Sequence, residues 1–211
     1  RQKPLVGLSL VLMFVLAIIS YQGSRRIRVD KFLRVGIKNQ KSGHFNLAKK
    51  NFIKALKLNP NSATAYFNLG TIYLSEKNSK MAKKELDKAV SLNGGKAQYY
   101  AYQAYLYFNQ MDKREEAVKK MEKAIRLDPK NYQYELAIAY FYKKLGRWEK
   151  SKAAFRRVLK LEPNFNNARD ELAAIYNKLG ETKKAALIIK EKERYADKGK
   201  DGIDLSGNGV K

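Results

Sequence analysis

The segment from Tyr134 to Pro163 recurs along the chain with a period of 34 residues. Its apolar residues follow helical spacing, stop at residues 144–147, resume, and end at Pro163, which predicts a helix, a tight turn and a second helix. Pro129 ends the preceding copy, and Pro60 lies 69 residues before Pro129, which is two periods plus one inserted residue. Because one helical hairpin cannot bury its own apolar face, such copies must stack on each other.

The aligned copies share residue types at fixed positions. Position eight is small, position twenty is small, and position eleven is mostly tyrosine: Gly36, Gly70, Ala139, Ala173; Ala48, Ala82, Ala117, Ser151, Ala185; Tyr73, Tyr107, Tyr142, Tyr176. This pattern strongly resembles the tetratricopeptide repeat family. The resemblance implies an all-α, right-handed α-solenoid of about five helix-turn-helix repeats. We place the repeat domain at 29–195, with repeats near 29–62, 63–96, 97–131, 132–165 and 166–195, and expect positions eight and twenty to face each other.

Two departures from the pattern carry structural expectations. Repeat two ends in Asn93-Gly94-Gly95 in place of proline, which favours a left-handed helix end. The inserted residue falls within 110–114, between the two helices of repeat three. We therefore expect repeat three to be slightly irregular.

The run from Leu5 to Tyr21 is uncharged and almost wholly apolar. Its length corresponds to about 25 Å of helix, so we predict one transmembrane helix and a membrane anchor with its basic flank at 1–28. A cleaved signal peptide is disfavoured because no pair of small residues follows the run, and a buried helix is disfavoured because the run has no polar face.

The flank after the apolar run is more basic than the flank before it. Arg25, Arg26 and Arg28 follow the run, against Arg1 and Lys3 before it, which favours a single-pass protein with a cytoplasmic repeat domain. A periplasmic or extracellular side stays open. The tail at 196–211 is rich in glycine without apolar periodicity, and we predict that it is disordered.

No group of residues suggests catalysis. The chain has no cysteine, and its one histidine, His44, lies in a predicted turn. Phosphate-binding and metal-binding motifs are lacking in the sequence. We predict a non-enzymatic protein without a cofactor or metal.

The family resemblance implies that the first helix of each repeat lines a concave groove. The matching positions are Leu33, Ile37, Phe67, Asn68, Thr71, Tyr102, Tyr105, Phe108, Leu136 and Tyr140. Aromatic residues with a polar tip suit a peptide or short helix of a protein partner, although the same tyrosines could pack on neighbouring helices. Of the positions that clamp a terminal carboxylate in chaperone-binding members, only Asn68 agrees, so we expect no such clamp.

The chain has 44 Lys and Arg against 20 Asp and Glu, a formal net charge of +24. The cations concentrate on the flank of the apolar run and on the second helices, and the candidate basic surface is Arg25, Arg26, Arg28, Lys83, Lys84, Lys119, Lys120, Arg156 and Arg157. The sequence thus predicts a membrane-anchored scaffold that docks a partner in its groove. The alternative is a basic repeat protein that binds anionic lipid or nucleic acid. Nucleic acid is disfavoured because aromatics and cations are expected on different faces.

Overall fold

The computed structural model describes residues 3–200, with side chains described for residues 11–192. This part of the chain is all-α, as predicted, with ten helices and no strand: α1 (Lys3–Lys41), α2 (Phe45–Leu58), α3 (Ala63–Ser75), α4 (Ser79–Leu92), α5 (Ala97–Asn109), α6 (Arg114–Leu127), α7 (Tyr132–Lys144), α8 (Trp148–Leu161), α9 (Asn166–Lys178) and α10 (Thr182–Lys200). Residues 196–200, expected in the disordered tail, continue α10. The rest of that tail lies outside the described residues.

The helices form consecutive hairpins in the predicted register. Ala63, Ala97, Tyr132 and Asn166, the expected first residues of repeats two to five, each begin a helix. The first repeat differs, because Val29 lies in the middle of α1. The expected boundary at 28/29 therefore falls within one continuous helix.

The chain divides into two compact units, Arg1–Met111, which contains α1–α5, and Asp112–Lys211, which contains α6–α10. The division falls at the residue inserted in repeat three. Residues 110–113 connect α5 to α6, whereas only residues 145–147 connect α7 to α8. Asp112 in this longer turn has a left-handed backbone, φ 49°. The expected irregularity of repeat three is therefore present in its turn.

The other hairpin turns also need one residue in the left-handed region. Gly43, Gly146 and Gly180 occupy it with φ of 75°, 69° and 76°, and Lys77 does so in the second hairpin with φ 58°. Glycine adopts this conformation without the steric cost that a side chain incurs. The turn glycines therefore follow from backbone geometry.

The end of repeat two does not adopt the expected left-handed conformation. Asn93 has an extended φ of −150°, and its N–H donates to Ala89 O at 3.0 Å. Its side-chain oxygen accepts from Gly95 N–H at 3.2 Å. The first repeat closes in the same way, with Asn61 N–H donating to Asn59 Oδ1 at 3.1 Å. The asparagine side chain thus forms the turn in repeats with and without proline.

The glycines at position eight are required by a close approach within the first two hairpins. A Cβ on Gly36 would lie 2.6 Å from Cε1 of Phe52, and one on Gly70 would lie 2.8 Å from Cγ of Leu86. The nearest neighbour is thus position twenty-four, not position twenty as expected. In repeat four position twenty does reach position eight, because Ser151 Oγ donates to Ala139 O at 2.8 Å.

The N-terminal part of α1 extends from the core of unit 1 with its apolar side chains exposed. Val11, Leu12, Phe14 and Ile19 have exposed fractions of 61%, 60%, 68% and 59%. Among the residues described, no helix combines the length and the hydropathy needed to cross a membrane. The predicted transmembrane helix therefore lacks support there, and the side chains of residues 5–10 lie outside the described set.

Candidate functional site

A cavity of about 510 Å³ opens between α1, α2, α3 and α5 of unit 1. We call it the unit 1 groove. Ile37, Gln40, Lys41, Phe45, Asn68, Thr71, Leu74, Ser75 and Tyr102 line it. Four of the predicted groove residues, Ile37, Asn68, Thr71 and Tyr102, are therefore brought together. The others lie elsewhere.

A chain of hydrogen bonds holds the polar wall of the unit 1 groove. Gln40 Nε2 donates to Thr71 Oγ1 at 2.8 Å, and the Thr71 hydroxyl donates to Asn68 O at 2.9 Å. Asn68 Nδ2 donates to Thr64 O at 2.7 Å. These bonds fix the side chains before any ligand arrives, which lowers the entropic cost of binding.

The aromatic residues of the groove form two layers. Phe67 is buried, with 7% of its surface exposed, and its ring stacks on Tyr99 with centroids 4.7 Å apart. Tyr102 meets the ring of Phe67 edge-on at 5.1 Å and keeps 37% of its surface exposed. Phe67, which was expected to line the groove, instead supports Tyr102 from the core.

Tyr105 and Phe108 are half-buried and do not line the cavity. The ring of Tyr105 lies 6.1 Å from that of Tyr102, nearly perpendicular to it. Burial, together with the nearby Tyr102, raises the pKa of Tyr105 above its ordinary value. The alternative that these side chains pack on neighbours thus describes them better than free exposure does.

Leu33 lines a separate cavity of about 530 Å³, beside the turn between α2 and α3. Arg25 and Arg26 line this second cavity as well. Arg25 Nε donates to Leu58 O, the last residue of α2, at 2.6 Å. Arg25 was expected on a free basic flank, but it ties α1 to the end of α2.

Leu136 and Tyr140, the predicted groove residues of unit 2, lie half-buried on α7. Tyr140 meets Phe155 edge-on at 5.3 Å, and Lys143 Nζ lies 5.9 Å from the centre of its ring. Lys143 forms an ion pair with Glu171. Burial first, and then the Glu171 carboxylate, raise the pKa of Tyr140.

The predicted basic surface is partly neutralised within the protein. Lys83 forms an ion pair with Asp87, and Arg157 Nε lies 2.9 Å from Glu135 Oε2. Lys84, Lys119 and Arg156 are exposed, and Lys120 is half-buried. Formal charge therefore overstates the positive field of the second helices.

Lysines at position twenty-one join successive repeats, a role that the sequence reasoning missed. Lys49 Nζ lies 5.5 Å from the ring centre of Tyr73 and 2.7 Å from Glu76 Oε1. Lys152 repeats the arrangement with Tyr176 at 5.4 Å and Glu181 at 2.7 Å. The expectation that aromatics and cations occupy different faces is wrong. The recurring pair of lysine at twenty-one and tyrosine at eleven of the next copy was a readable signal.

Comparison with known proteins agrees with this fold. The MamA protein crystal structure aligns with a TM-score of 0.72 and 21% identity over 87% of this chain and 98% of that chain. PilF of Pseudomonas aeruginosa aligns with a TM-score of 0.72 and 22% identity over 82% of this chain and 78% of that chain. YrrB, described as "a TPR protein with an unusual peptide-binding site", aligns with a TM-score of 0.63 and 16% identity over 78% of this chain and 84% of that chain. At these identities the similarity shows the fold alone. No curated protein sequence matches.

Family models match the hairpins directly. A tetratricopeptide repeat model matches residues 63–95, 97–131 and 134–165, and a TPR repeat model matches residues 41–76. Together they span more than half of the chain. Proteins built from these repeats are generally protein-interaction scaffolds, and the fold is typically non-enzymatic. With the matched hairpins, the recurring spacing of small residues and the fold in agreement, the chain belongs to the tetratricopeptide repeat family.

Proposed function

We propose that this protein is a non-enzymatic, membrane-anchored scaffold that docks a peptide or short helix of a protein partner in the unit 1 groove. The observation that carries the proposal is the open cavity of about 510 Å³, whose apolar wall includes Ile37, Phe45, Leu74 and Tyr102. Its volume lies within the range of about 300–1,000 Å³ that ligand sites have. Apolar walls with a few fixed polar groups are the usual composition of such sites.

Tyr102 is the residue best suited to bind a partner. It offers a large exposed ring that is already braced by Phe67 and Tyr105. Rigid aromatic side chains contribute much contact area at a low cost in side-chain entropy, and they often dominate the energy of interfaces. The peptide-binding site named for YrrB lies on the same fold and supports the proposal by analogy.

The test compares two tyrosines of α5. Tyr102→Ala removes an exposed ring, whereas Tyr107→Ala removes a ring that is only 8% exposed. We expect Tyr102→Ala to lose co-purifying partners while its thermal unfolding stays near that of the unchanged protein. Tyr107→Ala should lower stability, by about 3–5 kcal/mol for a buried aromatic.

A double charge reversal, Lys83→Glu with Lys84→Glu, tests the alternative that the basic surface binds the partner. If Tyr102→Ala keeps every partner while the reversal loses them, the basic surface is the binding site and the groove proposal is wrong. Anionic lipid or nucleic acid would then be the ligand classes to examine.

The membrane part of the proposal rests on the apolar run from Leu5 to Tyr21 and on the exposed side chains of its described residues, such as Val11, Phe14 and Ile19. Isolated exposed apolar residues are common on proteins, but a contiguous apolar surface of this kind marks an interaction with lipid or protein. The cytoplasmic side is proposed for the repeats because Arg25, Arg26 and Arg28 follow the run.

A further inference from the structure

Three cations border the unit 1 groove on α1. Arg34, Lys38 and Lys41 are spaced at i, i+4 and i+7, so they share one face of the helix. All three are exposed and line an adjoining cavity of about 370 Å³ together with Ile37 and Ser42. Lys41 and Ile37 also line the groove itself, so the two cavities adjoin through these residues.

These three side chains outnumber the acidic groups of their helix, because Asp30, one turn before Arg34, is the one acidic residue of α1. Among the described residues that line the two cavities, none is acidic. No ion pair of Arg34, Lys38 or Lys41 occurs within the described part of the chain. Like charges at i, i+4 destabilise a helix by a few tenths of a kcal/mol, a cost that is offset in part by Asp30, one turn before Arg34, and by the helix C-terminus near Lys38 and Lys41.

Some cations elsewhere in the described part of the protein are held in ion pairs. Lys49 pairs with Glu76 where repeat one meets repeat two, and Lys83 pairs with Asp87 on α4. On unit 2, Lys143 pairs with Glu171 beside Tyr140. Other exposed lysines, such as Lys50, Lys57 and Lys80, also lack an ion pair among the described residues, but they do not line the groove. The cations beside the unit 1 groove are therefore distinguished by their position, and they are the part of the groove that can attract charge from outside.

We infer that the partner segment docked in the unit 1 groove is an acidic peptide, with carboxylates facing Arg34, Lys38 and Lys41 and a large apolar side chain in the cavity. This inference rests on the proposed function and specifies the partner's chemistry. Complementary charge steers association and selects among partners. A peptide fits better than nucleic acid because the cavity wall includes Ile37, Phe45 and Leu74, which match apolar side chains.

The experiment measures fluorescence anisotropy with the 211-residue chain in detergent micelles. The probes are three short synthetic peptides, each with one Phe and one Leu. All other residues are Asp in the first peptide, Ser in the second and Lys in the third. An oligothymidylate of similar length is the fourth probe. We expect the Asp peptide to bind about tenfold more tightly than the Ser peptide in about 50 mM salt, since three exposed ion pairs each contribute a factor of about two. The preference should largely disappear in about 500 mM salt.

Matched variants assign the effect to these cations. Arg34→Glu, Lys38→Glu and Lys41→Glu in one protein should lose the Asp peptide and bind the Lys peptide. The control reverses three exposed lysines of the same unit that lie outside the groove, Lys50→Glu, Lys57→Glu and Lys80→Glu, and should keep the preference for Asp. If the control loses the preference equally, net charge and not the groove selects the peptide, and the inference is overturned.

The remaining outcomes separate this inference from the function on which it rests. Equal binding of the Asp and Ser peptides, with loss of both in Tyr102→Ala, would leave the groove in place and reject the acidic partner. No binding of any peptide, or binding unaffected by Tyr102→Ala, would reject the groove itself. Tighter binding of oligothymidylate than of the Asp peptide, lost in the triple groove variant, would replace the peptide with nucleic acid.

Discussion

A single missing methyl group decides how closely α1 and α2 approach. At Gly36 the ring of Phe52 occupies the space that any side chain would need, with three ring atoms between 2.6 and 2.9 Å from the ideal Cβ position. Phe52 is fully buried and forms part of the core of unit 1, so it has little freedom to move away. Glycine at this position is therefore a requirement of packing.

We expect Gly36→Ala to lower the free energy of unfolding by about 1–3 kcal/mol, the usual cost of overpacking a core. Gly23→Ala is the matched control, because Gly23 lies in the same helix with nothing within 4 Å of its Cβ position. Alanine there should be neutral or slightly stabilising, since it is the better helix former. Chemical denaturation measures both, and equal free energies of unfolding in the two variants would argue against the close approach.

Tyr142 shows how a tyrosine at position eleven is used in unit 2. Its hydroxyl donates to Glu122 Oε1 at 3.0 Å. Burial first, and then the hydrogen bond to Glu122, raise the pKa of Tyr142 to about 12. The folded protein therefore holds this proton more tightly than the unfolded chain does.

The stability contributed by the protonated phenol should be fully present below about pH 10, where folded and unfolded states both keep the proton. It should be lost as the pH rises from 10 toward about 12, because the unfolded chain ionises first. Tyr142→Phe should remove this alkaline decrease in the free energy of unfolding, and it should lower that free energy by about 1–2 kcal/mol at neutral pH. In Glu122→Gln the pKa of Tyr142 should fall only partly, because burial, its largest cause, persists. An unchanged slope in Tyr142→Phe would contradict the assignment.

Consecutive hairpins are joined by contacts that recur from element to element. Where α2 meets α3, Lys49 combines a cation–π contact with Tyr73 and an ion pair with Glu76. The same residue types meet between α8 and the last hairpin through Lys152. A repeat protein is stabilised by such nearest-neighbour interfaces, so each joint adds to the stability of the stack.

Replacement of Lys49 by Met should lower stability by about 1 kcal/mol, roughly half from each contact. Lys50→Met is the control, because Lys50 is the exposed neighbour on the same helix. The difference between the variants should shrink in about 1 M salt as the ion pair is screened. Indistinguishable melting curves at low salt would mean that this joint contributes nothing.

The element boundaries could be predicted because the period and the helix breakers act locally. Ala63, Ala97, Tyr132 and Asn166 begin helices as expected. Contacts between elements were harder to predict. A shared helical face does not say which of two neighbours a side chain meets, so Gly36 was matched to Ala48 although Phe52 lies closer. Burial of Phe67 beneath Tyr102 likewise depends on α5, which periodicity within α3 cannot show.

The groove prediction was limited in the same way. The family resemblance marked positions along the first helices, and four of the predicted residues, Ile37, Asn68, Thr71 and Tyr102, line one cavity. Gln40 and Lys41 occupy positions that the same projection covers, yet their importance emerges only from the cavity that they line. Charge counting by helix also missed internal pairing, such as that of Arg157 with Glu135.

At the scale of the whole molecule, the formal charge of +24 and the apolar N-terminal run suggest association with a membrane. These two features predict different behaviour on extraction. Attraction of cations to anionic lipid is screened by salt, whereas insertion of an apolar helix is not.

We expect the chain to stay with membranes through washes in high salt and in alkaline carbonate, as measured by fractionation and immunoblotting. Replacement of Leu12, Phe14 and Leu16 by Asp should release it. Release of the unchanged protein by salt alone would mean that only charge holds it, and recovery from the soluble fraction would reject the anchor.

Protease added to spheroplasts should spare the repeats if they are cytoplasmic. Digestion of the repeats would place them on the other side of the membrane.

Helix α1 passes from the apolar run into the first hairpin without a break, over 39 residues, or about 58 Å. Because the helix is continuous, whatever holds its N-terminal part also fixes the orientation of the first hairpin. One residue inserted between Tyr21 and Gln22 would turn the unit 1 groove by about 100° and advance it by about 1.5 Å. An insertion of about eighteen residues, or five turns, would restore the orientation of the groove at a greater distance from the apolar run. The number of residues in this segment, independent of their identity, thus determines the direction from which a partner must approach.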